Sequence, residues 1–157
     1  MTSRTVTHAS FTLKRTYPAT PARVFDAFAT PEAKARWFAG TEAWTERERK
    51  FDFRVGGQER LVGAWAGGKV SAFDARYYDI VPGERIVYAY EMHIDGTRIS
   101  VSLATVEFKP SGSGGTQLVV TEQGAFLDGY DDAGSREAGT ASLLDRLGAS
   151  LLQQAGA

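Results

Sequence analysis

The chain has 157 residues, 18 basic and 19 acidic side chains, no cysteine and a formal net charge of −1. This charge balance lacks the basic surface that binds phosphate backbones, and no window has the roughly 18 apolar residues of a membrane span, so nucleic acid and membrane are not expected partners. The absence of cysteine excludes disulfides and zinc–thiolate sites and is compatible with a reducing compartment, which we take to be the cytoplasm.

The first predicted element is a strand over residues 8–17. Phe11, Leu13 and Tyr17 alternate with polar side chains, which is the pattern of a half-buried strand. Arg15 interrupts the apolar face near its end.

Two short helices are predicted next. Thr20-Pro21 and Thr30-Pro31 each place a hydroxyl, which can cap free backbone N–H groups, before a proline whose φ suits the first helical position. The second helix carries Lys34 in its last turn, presents Trp37-Phe38 and is expected to stop at Gly40.

Six further strands are predicted from residue 41 to residue 126, separated by short turns that contain glycine. Two of them lie within 41–66, and the others cover 69–81, 85–94, 98–109 and 116–126. Such short turns make consecutive strands antiparallel. The charged run at 46–50 is typical of an exposed sheet edge.

The last predicted element is one amphipathic helix. Its apolar stripe includes Leu143, Leu144, Leu147 and Leu151. Gly134, Gly139 and Gly148 each cost about 1 kcal/mol of helix stability relative to alanine, so their presence suggests that backbone or a ligand comes close to a thin helix surface. Sequence drift is the alternative explanation. Gly139 and Leu143 are candidate ligand-binding residues on this helix.

Together these elements predict one α+β domain over residues 1–157. A curved antiparallel sheet of about seven strands grips a long C-terminal helix, and two short helices follow strand one. A single helix lined with Gly, Ala and Leu would enclose a hollow more readily than a filled core. The sequence therefore predicts a cavity for a small hydrophobic or aromatic molecule.

Aromatic side chains are the candidates to line this cavity. Ile86, Tyr88, Tyr90 and Met92 share one strand face by period two. The full set of candidates is Trp37, Phe38, Tyr88, Tyr90, Met92 and Phe126. Ordinary core packing is the alternative, but a buried tyrosine hydroxyl seeks a partner, so at least one of the two tyrosines should point into an internal space.

Glu122 is the sharpest polar candidate. It shares a strand face with Leu118 and Val120. If that face is the concave one, the carboxylate points into the cavity. There it could orient a polar ligand or act as an acid or base, with Tyr88 or Tyr90 as hydrogen-bond partner. The alternative is that the strand leaves the sheet at this point and Glu122 is solvated.

No catalytic residue, cofactor or metal ion is predicted. Gly56-Gly57 is followed by a strand, whereas a phosphate-binding loop needs a helix N-terminus there. His8 and His93 have no His, Asp or Glu at metal-ligand spacing. The strand-to-helix elbow that exposes a nucleophilic serine is absent.

The order and spacing of several short motifs resemble a known family. They are Arg15-Thr16-Tyr17, Val24-Phe25, Ala27-Phe28, Trp37-Phe38 and the segments 52–57, 79–82, 84–88, 106–108 and 121–140. They resemble the helix-grip fold of the START-like superfamily (SRPBCC, Bet v 1-like), and within it a bacterial branch of the homologues of the activator of the heat shock protein 90 ATPase.

This resemblance implies three alternative functions. Members of the superfamily bind lipids, sterols, phenolics or polyketides in a cavity between sheet and helix, and a minority are polyketide cyclases or dehydratases. The activator that names the family has an additional amino-terminal domain, for which 157 residues leave no room. We therefore expect a small hydrophobic ligand, and a chaperone partner and a homodimer stay open.

Overall fold

The computed structural model describes residues 3–155, which form seven strands and three helices. In chain order these are β1 (Val6–Tyr17), α1 (Pro21–Ala29), α2 (Pro31–Ala35), β2 (Trp44–Phe51), β3 (Gln58–Trp65), β4 (Val70–Val81), β5 (Arg85–Ile94), β6 (Thr97–Ser111), β7 (Gly115–Leu127) and α3 (Ala133–Ala155). Every predicted strand and helix is present. The second helix is shorter than expected, since it ends at Ala35 and not at Gly40.

The seven strands form one antiparallel sheet in the order β1-β7-β6-β5-β4-β3-β2. The edge position predicted for the charged run at 46–50 is confirmed, because β2 lies at one edge of the sheet. Since β1 lies at the other edge, α1 and α2 carry the chain from one edge to the other. Register shifts interrupt the β2–β3, β4–β5 and β5–β6 pairings, with the extra residue in β2, β4 and β6, and such irregularities bend the strand that carries them. The fold is the predicted α+β helix-grip fold, with α3 packed on the sheet.

The two helix caps differ. The side chain of Thr20 accepts a hydrogen bond from the backbone N–H of Arg23 at 3.3 Å, which confirms the first predicted cap. The predicted cap at Thr30 is wrong, because that side chain makes no capping hydrogen bond. Thr30 also ends α1, where its own N–H donates to the carbonyl of Asp26. One residue thus joins the two helices, and only its backbone is used.

Helix α1 closes one end of the sheet. Val24, Phe25 and Phe28 are buried, and the rings of Phe25 and Phe28 each lie 5.4 Å from the ring of Phe108 on β6. These edge-to-face contacts are the favoured arrangement of aromatic pairs. The end of the sheet near the β6–β7 hairpin is therefore filled with side chains.

The C-terminal half of α3 packs closely on this filled end. Leu144, Leu147 and Leu151 are buried in the main core, and the Tyr17 hydroxyl donates to the carbonyl of Leu144 at 2.8 Å. A Cβ at Gly148 would lie only 3.0 Å from the ring of Tyr17. The close approach predicted from the helix glycines is thus confirmed at Gly148.

Lys34 of α2 is buried, with its ammonium 2.8 Å from Oε1 of Glu59 on β3. The hydroxyl of Tyr77 on β4 donates to the same carboxylate oxygen. The Lys34 nitrogen also lies 4.5 Å from the centre of the Phe38 ring and 5.4 Å from that of Phe51. A buried charge needs such partners, so this ion pair fastens α2 to the sheet.

We expect Lys34→Met to lower the free energy of unfolding by about 3–5 kcal/mol, because it leaves the Glu59 carboxylate buried without its cation. The double variant Lys34→Met/Glu59→Gln should be more stable than Lys34→Met alone, since it removes the unpaired charge and keeps an acceptor for Tyr77. Urea unfolding measures both.

The exposed pair formed by Arg54 and Asp52 is the matched control. Arg54→Met should change the free energy of unfolding by less than about 1 kcal/mol. A double variant Lys34→Met/Glu59→Gln that is no more stable than Lys34→Met would contradict the assignment of a coupled buried pair.

Candidate functional site

A cavity of about 380 Å³ lies between the sheet and α3. Its wall is formed by the end of α2, the loop before β2, the inner faces of β3 to β7 and one side of α3. Small-molecule sites in proteins have volumes of roughly 300–1,000 Å³. The hollow predicted from the sequence is therefore present and is large enough for a small ligand.

Eight of the nine predicted ligand-binding residues line this cavity. They are Trp37, Phe38, Tyr88, Tyr90, Met92, Glu122, Gly139 and Leu143. Phe126 does not line the cavity, because its buried ring lies under the guanidinium of Arg136, at 5.3 Å. The binding role of the predicted residues stays a prediction.

Aromatic rings form a continuous part of the wall. Phe73 on β4 lies 4.9 Å from Phe38 and 5.0 Å from Tyr90, and the rings of Tyr88 and Tyr90 are 6.0 Å apart. Phe73 was not singled out in the sequence, although the alternation of β4 places it on the inner face. This wall can bury the flat or apolar part of a ligand.

Glu122 lies in the cavity wall, with only 5 % of its surface exposed. The Tyr90 hydroxyl donates to Oε1 of Glu122, and the Thr140 hydroxyl of α3 donates to Oε2 at 3.0 Å. Arg136 donates to the Tyr90 oxygen at 3.1 Å and is paired with Asp131 at 2.9 Å. These bonds connect β5, β7 and the N-terminal half of α3 across one end of the cavity.

The environment shifts the acidity of both groups at this end. Burial raises the pKa of Glu122 above its ordinary value of 4.5, while the hydrogen bonds from Tyr90 and Thr140 and the charge of Arg136 oppose the rise. Burial, followed by the charge of Glu122, raises the pKa of Tyr90. Glu122 therefore keeps its proton to a higher pH than an exposed glutamate, and Tyr90 stays a donor.

Tyr88 presents a free hydroxyl to the cavity. No group of residues 3–155 forms a hydrogen bond with it, and the residue lies in the cavity wall. Burial, followed by the charges of Glu122, Tyr90 and Glu59, raises its pKa well above the ordinary value. The group is thus a neutral hydroxyl that can donate to, or accept from, a bound molecule.

Trp44 forms the part of the wall next to the loop that precedes β2. A Cβ at Gly40 would lie 2.3 Å from Cγ of Trp44, and a Cβ at Gly63 would lie 1.9 Å from its Cε2. The indole nitrogen donates to the hydroxyl of Ser71 at 3.3 Å. The two glycines leave a slot for the indole and hold it at the cavity wall.

The cavity opens along one side of α3. Ser135, Gly139 and Ser142 contribute to its wall and are exposed at the same time. A Cβ at Gly139 would meet no atom within 4 Å. Gly139 therefore does not mark a close backbone contact, as Gly148 does, but leaves the rim of the cavity free.

The described part of the chain has neither a metal cluster nor a membrane-spanning helix. Between residues 3 and 155, no three His, Asp or Glu side chains are placed to hold a metal ion. No helix in this range is long and apolar enough to cross a bilayer.

A family model described as Activator of Hsp90 ATPase homolog 1-like protein matches residues 18–151. This match confirms the resemblance noted from the sequence motifs. No curated protein matches the sequence.

Solved structures of bacterial proteins are similar to the chain. A protein from Rhizobium leguminosarum is 48% identical, with 97% of this chain and 99% of that chain covered and a TM-score of 0.91. The Mll3558 protein from Rhizobium loti is also 48% identical, with 93% and 99% covered and a TM-score of 0.86. The AHSA1-like protein from Aeromonas hydrophila is 21% identical, with 94% of each chain covered, and shares the fold with a TM-score of 0.67.

The raised pKa of Glu122 predicts a pH-dependent stability. From pH 4.5 upward the folded protein holds this proton more tightly than the unfolded chain, so the contribution of Glu122 to stability falls as pH rises through the raised pKa. Glu122→Gln, which preserves the acceptor for Tyr90, lacks this loss. In urea unfolding from pH 4.5 to neutral pH, the free energy of unfolding of Glu122→Gln should rise relative to that of the wild type as pH rises.

Glu84→Gln changes an exposed glutamate and is the control. Its unfolding free energy should follow the wild-type pH profile. Parallel profiles for Glu122→Gln and the wild type would contradict the assigned pKa shift.

Proposed function

The chain belongs to the Activator of Hsp90 ATPase homolog 1-like family, and we propose that it binds a small hydrophobic or aromatic molecule non-covalently in the cavity between the sheet and α3. The observation that carries the proposal is a cavity of about 380 Å³ that combines an aromatic wall with a free hydroxyl at Tyr88. Side chains that only fill a core would leave neither a cavity of this size nor an unbonded hydroxyl. A ligand site needs mostly apolar walls and a few polar groups that fix orientation.

Burial of the apolar part of the ligand supplies the affinity, at about 25 cal/mol per Å² of apolar surface removed from water. Tyr88 and Glu122 supply orientation. Tyr90 and Thr140 already hold the Glu122 carboxyl in place, so a ligand that reaches it meets a group that needs no further ordering.

A second candidate function is acid–base catalysis on a polyketide-like substrate. The observation that favours it is the buried carboxyl of Glu122, whose pKa is raised towards the range useful for proton transfer, close to the Tyr90 hydroxyl. The cytoplasmic location stays a prediction of the sequence, and a chaperone partner and a homodimer stay open.

Ligand binding predicts a thermal shift that depends on the cavity rim. A fatty acid, sterol or flavonoid present at 100 times its Kd stabilises the folded protein by about 2.7 kcal/mol, which is a rise in Tm of roughly 5–10 °C for a domain of this size. Gly139→Phe should abolish the shift, because the ring obstructs the rim where no other atom lies within 4 Å.

Ala138→Phe is the matched control, since it adds the same ring at the neighbouring exposed position of α3, away from the cavity wall. It should retain the wild-type shift. Absence of a shift with every compound class, or an unchanged shift in Gly139→Phe, would count against the proposal.

The catalytic candidate predicts a different outcome for a compound that binds. If the wild type converts it, Glu122→Gln should lower kcat by at least about 100-fold, the usual contribution of a general acid or base, while the thermal shift by the same compound persists. Turnover that survives the substitution removes Glu122 from the chemistry and leaves the binding function.

A further inference from the structure

Three cationic side chains line the cavity, and they differ in what neutralises them. Lys34 is paired with Glu59 at 2.8 Å, and Arg136 is paired with Asp131 at 2.9 Å. Arg146 has no carboxylate within ion-pair distance among residues 3–155. One positive charge in the cavity wall thus lacks an anion.

Two backbone hydrogen bonds hold the guanidinium of Arg146 in place and leave some of its N–H donors without an acceptor. Its Nη1 donates to the backbone carbonyls of Ala39 at 2.6 Å and of Gly40 at 3.0 Å. Nε and Nη2 have no acceptor in the described part of the chain, and the residue is partly exposed. A guanidinium with an unused pair of N–H donors matches the two oxygens of a carboxylate.

The surroundings of Arg146 suit an apolar group that carries the acid. Gly40, whose carbonyl accepts from Arg146, also packs against the indole of Trp44. Leu143 lies one turn before Arg146 on α3 and lines the same cavity. An anion at Arg146 would therefore leave the body of its molecule against Trp44 and Leu143.

Arg136, the cation at the other end of the cavity, is already paired with Asp131. Glu122 is bonded to Thr140, which precedes Arg146 by six residues, or roughly 9 Å along the axis of α3. The cavity thus has a carboxyl group at one end and an unneutralised cation at the other. Such a charge arrangement fixes the direction in which an acid enters.

We propose that the ligand is an organic acid with an aromatic or other apolar body, and that Arg146 binds its carboxylate while the body lies along the aromatic wall towards Tyr88. This inference rests on the proposed ligand-binding function and names the class of its ligand. The bonds of Arg146 to Ala39 and Gly40 alone would give it a merely structural role, which ties α3 to the loop before β2. The two roles differ in one measurable property, the preference for a charged over a neutral ligand.

The test uses the neutral fluorophore N-phenyl-1-naphthylamine as reporter of the cavity. The competitors are 1-naphthoate and its neutral counterpart 1-naphthamide, which have the same ring system. On the wild type, naphthoate should displace the reporter at about tenfold lower concentration than naphthamide, the effect expected of one charge-assisted hydrogen-bonded contact.

Arg146→Gln should bring the two displacement concentrations to within about threefold of each other, while naphthamide displaces the reporter as it does from the wild type. Arg146→Lys keeps the charge and should keep the preference for naphthoate, although it loses the fork geometry. Arg76→Gln removes an exposed arginine that lies away from the cavity and should leave all values unchanged.

Equal displacement by naphthoate and naphthamide on the wild type overturns the inference and leaves the cavity proposal standing, and this comparison needs no variant to fold. A preference for naphthoate that survives in Arg146→Gln overturns the assignment to Arg146. Failure of the reporter to bind the wild type, or equal binding to Gly139→Phe, overturns the proposed function itself and the inference with it.

Discussion

The cavity depends on one constraint, which is that α3 touches the sheet closely at one end and is held away from it at the other. At the C-terminal end, Gly148 lets the helix backbone approach the ring of Tyr17. At the N-terminal end, the side chains of Arg136 and Thr140 donate hydrogen bonds to Tyr90 at 3.1 Å and to Glu122 at 3.0 Å. A rigid helix that is close at one end and distant at the other leaves a wedge of space, and the aromatic side chains of the sheet border that space without filling it.

Buried polar contacts hold α2 and α3 in place around the cavity. The ion pair of Lys34 with Glu59 holds α2 at one part of the cavity wall, and the hydrogen bond from Thr140 to Glu122 holds α3 at another. A buried charge that loses its partner is strongly destabilising, so both elements are held in defined positions. The cavity is therefore bordered by groups that resist moving inward, which is what a preformed binding site requires.

The sequence predicted those site residues whose position follows from strand periodicity. Tyr88, Tyr90 and Met92 share a face by period two, and Glu122 was correctly placed on the inner face of its strand. Phe126 shares that face as well, yet it does not reach the cavity. The reason is that Arg136 of α3 covers it, and the pairing of a helix residue with a distant strand residue has no periodic signal in the sequence.

By itself the sequence determined the order of the elements, the antiparallel sheet and the single amphipathic helix, because turn residues and apolar periodicity act locally. Only the tertiary structure decided which charged side chains face inward. Lys34, Arg136 and Arg146 look like ordinary helix-surface cations in the sequence, and each reaches its place through a contact with a distant segment. Long flexible side chains can point to solvent or into a cavity, and the choice is made by whichever carboxylate or carbonyl the fold brings within reach.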